Sequence, residues 1–129
     1  MSYGIFLLRF EDGGTVPLDH ERFRRLTEPY AVVGGPGEEF SQLLAEDGSS
    51  TELYGDGREG LTFTHVEKGA VLGVIARLAV ALGASIVPQD GPTVLFHEER
   101  RAHLPEALRD GAVVTEPTAD GLLAALEAR

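Results

Sequence analysis

The sequence predicts an α+β fold: an antiparallel sheet of about five strands, one long apolar helix packed on a face, and shorter helices around it. Three observations predict it. The segment YGIFLLRF, Tyr3 to Phe10, is apolar on both of its alternating faces, as a central strand covered on two sides requires. Residues 30–66 then hold short strand-like runs separated by glycine turns, the pattern of an antiparallel meander. Finally, GAVLGVIARLAVALG, Gly69 to Gly83, carries Arg77 as its only charge and is otherwise small or apolar at helical spacing.

The 129 residues are read as one α+β domain, 1–129, in which 98–129 form a helical extension packing on the core. In the first strand Ile5, Leu7 and Arg9 share one side, and Phe6, Leu8 and Phe10 the other. PLDHERFRRL follows as a short helix: Asp19 caps it, Leu18 packs on Phe23 as a staple, and Glu21 and Arg25 lie four apart. It ends before Pro29. The meander consists of YAVV, EFSQLL, STELY and LTFTHV, interrupted by GGPG, EDGSS and GDGREG.

In the apolar helix, Leu72, Ile75, Ala79 and Leu82 form a bulky stripe suited to the sheet, flanked by Val71 and Leu78. The opposite face, around Arg77, is small: Ala70, Gly73, Ala81 and Ala84. A helix with so little polar surface is covered twice, and the tail helix GLLAALEAR is the first candidate for the second cover, a second subunit the alternative. Gly83 caps the helix in the left-handed region, and SIV and TVLF follow around the turn PQDGP. Two further helices are expected: Leu104 to Arg109, with Pro105 in the first turn, and Thr118 to Ala128, with Thr118 as cap.

Composition narrows the chemistry. There is no cysteine, which excludes disulfides, thiolate zinc sites and thiol catalysis and fits a cytoplasmic location. The start has none of the features of a signal peptide, and Ala70 to Leu82 is too short for a bilayer, which takes about 20 helical residues. No membrane association is expected. The net charge of −10 is concentrated in 28–67, where nine acids face one base, Arg58. Such a surface repels phosphate backbones and speeds encounter with basic partners, although its commonplace role is solvation.

No G-x-S-x-G occurs, and GGPGEEF lacks the Gly-Lys-Ser/Thr ending of a phosphate loop and sets Glu38 and Glu39 where phosphate would sit. Glu99, His103 and Glu106 have metal-like helical spacing, but Pro105 breaks the helix that would align them. No metal or other cofactor is therefore expected. His65 lies in phase with Leu61 and Phe63, so alternation turns it toward the core, where Glu67 or Asp90 could partner it. The basic spots, Arg22, Arg24 and Arg25 and then Arg100 and Arg101, have acids beside them and no stacking aromatics. Nucleic-acid binding is not expected; binding of a small anion stays open.

The start MSYGIFLLRF, the helix ending ALG and the strand and turn SIVPQDG resemble small, uncharacterised bacterial α+β proteins. Some of those are similar to immunity proteins that neutralise secreted toxins. The resemblance implies a protein partner and assigns no residue a role. The leading expectation is therefore an acidic interaction module, of the immunity-inhibitor type, that meets a basic protein through Glu38, Glu39, Glu46, Asp47, Glu52, Asp56 and Glu59. One alternative is a small-molecule binder or enzyme with a pocket near His65, Arg77 and His97. Another is a structural homodimer.

Overall fold

The computed structural model describes residues 4–33, 40–55 and 58–127. Strands β1 (Ile5–Glu11) and β2 (Gly14–Val16) form a hairpin, followed by helix α1 (His20–Thr27) and a single 3-10 turn, Glu28–Tyr30. The meander is β3 (Ala31–Val33), β4 (Phe40–Leu44), β5 (Ser50–Tyr54) and β6 (Leu61–Thr64). Helix α2 (Ala70–Leu82) leads to β7 (Ser85–Pro88) and β8 (Val94–Leu95). A 3-10 segment, Glu98–His103, then precedes α3 (Glu106–Arg109), β9 (Val113–Val114) and α4 (Ala119–Glu127).

The fold is α+β with a mostly antiparallel sheet, but the sheet has nine strands among the described residues rather than about five. Its order is β3-β4-β5-β6-β1-β7-β8-β9, with β2 paired to β1 off this path. The excess comes from pairings of two or three residues, β2, β8 and β9, too short to show a period-2 pattern. β9 also breaks the antiparallel rule: it runs parallel to β8, Val94 opposite Val113 and Leu95 opposite Val114. β1 is central, pairing with β6 through Ile5–Phe63 and Leu7–Leu61 and with β7 through Leu7–Ile86.

Alternation on β1 feeds two apolar layers. Ile5 and Leu7 point to the main layer with Leu43, Leu53, Leu61, Phe63 and Ile86, against Phe23 of α1, the α2 stripe, and Leu122 and Leu126 of α4. Leu8 and Phe10 point the other way, to a smaller layer closed by Leu104, Leu108 and Ala112 with Val87 and Leu95. The C-terminal segment thus contributes to both sides of the sheet. Arg101 holds its bend by donating to the carbonyls of Arg109 and Ala112 while pairing with Glu98 at 2.7 Å.

α2 is 13 residues, an ordinary helix length rather than a long one, and nine of its residues are buried. Arg77 and Val80 remain exposed. α4 lies along it, and Gly73 lets the two approach: a Cβ there would stand 3.6 Å from the Ala119 Cβ. Gly83 ends the helix at φ 65, ψ 30, the left-handed cap that favours glycine. The start of α2 is capped from a distance. Gly69 has no side chain to cap with, and the turn between β4 and β5 supplies the acceptors: Asp47 Oδ2 takes the Ala70 N–H at 2.9 Å and Ser49 Oγ the Val71 N–H at 3.0 Å. Gly69 itself, at φ 141, has no room for a Cβ, which would fall 2.7 Å from Asp47 Oδ2.

Candidate functional site

Two surfaces carry functional potential: the uncovered half of the outer sheet face, and a cleft at the outer side of α2. On the sheet, register aligns Tyr54, Thr62 and Phe6 in one cross-strand row, and Gln42, Glu52 and Thr64 in the next. Leu44 and Ser50 make a third. These side chains point away from the main layer, because their neighbours Leu43, Thr51, Leu53, Leu61 and Phe63 are buried in it. The small layer stops at β1. Beyond it Phe6, Leu44 and Tyr54 stay exposed at 39%, 42% and 42%. Sequence reading missed these three because apolar residues in strands look like core; only register and the reach of the C-terminal segment reveal them.

Glu52 stands at the middle of this face. Its Oε1 meets His65 Nδ1 at 2.6 Å and accepts from Thr64 Oγ1 at 3.0 Å, and these hydrogen bonds, His65 first, hold its carboxyl below the usual range. His65 corrects the expectation drawn from alternation. Its φ of 51 turns the backbone into the left-handed region just after β6, so the ring swings outward with its side chain 64% exposed and pairs with Glu52, not Glu67 or Asp90. Glu67 instead accepts from Ser50 N and Oγ. The Glu52–His65 pair ties the end of β6 to β5 on a flat, open surface.

The acids of the middle segment do not act alike. Asp47 is held by the Ser49 hydroxyl, the Ala70 N–H and the Ser49 N–H, which lower its carboxyl to about 2, so it serves as the remote cap of α2. Glu46 and Glu59 are exposed. Glu38, Glu39 and Asp56 lie outside the described residues. The arginines of the second basic spot are engaged internally: Arg100 donates to the Phe10 carbonyl at 2.7 Å and to Glu11 at 3.3 Å, and Arg101 closes the bend described above.

The cleft, of about 290 Å³, is lined by Tyr30, Ala45, Glu46, Ala70, Gly73, Val74, Arg77, Pro117, Thr118 and Ala119. Of the three residues expected around one pocket, it includes Arg77 but neither His65 nor His97. His97 is exposed where the 3-10 segment begins and makes no capping bond there. His103, from the spacing considered for a metal, turns to β1 instead, 3.1 Å from Glu11 Oε2. Among the described residues, no group of three or more His, Asp or Glu side chains is arranged to hold a metal ion. None of the helices described is long and apolar enough to cross a membrane. No protein-family model matches the chain, and no curated protein or solved structure is significantly similar to it.

Proposed function

We propose that the chain is a non-enzymatic interaction module that docks a basic protein on the open half of its outer sheet face. The observation that carries this reading is the unequal cover of that face. One half is buried under Leu104, Leu108 and Ala112, while on the other half Phe6, Leu44 and Tyr54 stay exposed on the same face as Glu52. Exposed aromatic and apolar anchors are the usual makings of an interface centre, and the Glu52–His65 pair beside them adds polar groups for a partner to meet. The sign of the partner follows from the stretch 50–68, where Glu52, Asp56, Glu59 and Glu67 outnumber Arg58 and Lys68, whereas Glu46 and Asp47 are turned to α2. Acids of this kind raise the rate of encounter more than the final affinity. An immunity-type inhibitor, to which some of the small α+β proteins that the sequence resembles are themselves similar, is one form of such a module.

The test is affinity capture from the native lysate at low and high salt with the wild-type chain, Tyr54→Arg and Leu44→Asp, followed by kinetics on the captured protein. The reading expects one basic protein, lost with Tyr54→Arg, whose association slows with added salt. Capture that both substitutions leave unchanged would refute the sheet-face site. A homodimer in sedimentation that Tyr54→Arg dissociates would replace the basic partner by a second copy.

A further inference from the structure

Several arginines pair with a carboxylate: Arg9 with Glu11, Arg24 with Glu21, Arg100 with Glu11 and Arg101 with Glu98 all lie within 4.0 Å. Arg77 and Glu46 do not. They line the same cleft, yet they do not pair with each other, and neither has another partner among the described residues. A cleft that holds a cation and an anion apart suits a molecule that carries both charges.

The walls between them are apolar. Tyr30, Ala45, Ala70, Val74 and Pro117 supply them, with Ala45 and Val74 buried in a small cluster of their own. The volume of about 290 Å³ sits at the lower limit of ligand sites, which fits a small metabolite and not a nucleotide. Beneath Arg77 the floor is Gly73. A Cβ placed there would lie 3.3 Å from Arg77 Nη1 and 3.7 Å from the backbone N of Ala119. Glycine here lets the Arg77 guanidinium and the first turn of α4, both sources of N–H donors, come close together at one end of the cleft. The Glu46 carboxylate in the same cleft disfavours a phosphate dianion and favours an ammonium.

We propose that this cleft binds a free α-amino acid with an apolar side chain, its carboxylate on Arg77 and the Ala119 N–H, its ammonium on Glu46, and its side chain against Tyr30 and Val74. This site is separate from the sheet face, shares none of Phe6, Leu44 or Tyr54 with it, and stands or falls independently of the partner proposed above.

The experiment is an amide NMR titration of the full chain with alanine, valine, leucine, methionine and phenylalanine, and with two truncated forms of leucine: isocaproate, which lacks the ammonium, and isopentylamine, which lacks the carboxylate. At least one amino acid should shift Gly73 and Ala119, and both truncated forms should bind about tenfold or more weakly. Arg77→Gln should weaken the amino acid by a similar factor. Glu46→Gln provides the sharper readout, because it should weaken the amino acid while strengthening isocaproate. The proposal is overturned if none of the amino acids moves Gly73 or Ala119 at tens of millimolar, if Arg77→Gln binds the amino acid like the wild type, or if Glu46→Gln leaves the preference over isocaproate unchanged.

Discussion

Phe6 and Phe10 lie on one strand and point to one side of it, yet Phe10 is 4% exposed and Phe6 39%. Nothing local separates them. The difference is what lies above each: Phe10 meets Leu104 and Ala112 from the C-terminal segment, and Phe6 lies beyond that segment's reach. The two halves of the outer sheet face therefore teach that cover is set by a distant part of the chain. The covered half belongs to stability, and the open half is free to serve binding.

The sharpest way to break that comparison is to empty the covered half. Leu104 is fully buried, and Leu104→Ala should cost roughly 2–5 kcal/mol in urea unfolding, as large-to-small changes in closed cores do. A cost near zero would mean that the small layer is not a core.

On the opposite side of the sheet, Asp47→Ala removes the remote cap of α2 and should lower the melting temperature by several degrees at neutral pH. The folded carboxyl is lowered from 3.8 to about 2, so the unfolded chain binds more protons between those values. Its stabilising effect is complete above the higher value and disappears as pH falls through the lower one. Melting curves of wild type and variant should therefore converge toward pH 2, and a gap independent of pH would show that Asp47 acts only through packing.

The smallest effect should come from the open half. Leu44→Ser and Tyr54→Ser should each cost about 1 kcal/mol, less than Leu104→Ala, while removing partner capture. A loss as large as that of Leu104→Ala would make the open half a core face and erase the distinction.

Much of the frame is legible in sequence. Asp19 accepts from Arg22 N at 3.1 Å as the cap of α1, Gly83 closes α2, and Asp47-Gly48 and Asp90-Gly91 sit between paired strands. The same dipeptide at Asp12-Gly13 marks the β1–β2 hairpin, a signal present in the sequence but not used. Other features have no local signature. The strand Val113–Val114 exists only because Val94–Leu95 lies beside it, and the cleft gathers Tyr30, Glu46, Arg77 and Pro117 from four separate stretches. His65 misleads because alternation assumes extended backbone, which stops at Thr64.

The remote cap has a kinetic consequence. Helices that carry their own cap can form their first turn locally, whereas the first two N–H groups of α2 find acceptors only when the turn at 45–49 is in place. Opening that turn releases both donors at once. Ala70 and Val71, at the start of the most buried helix, therefore exchange their amide protons at a rate governed by a surface turn more than twenty residues earlier, and the β4–β5 hairpin and α2 behave as one unit of local unfolding.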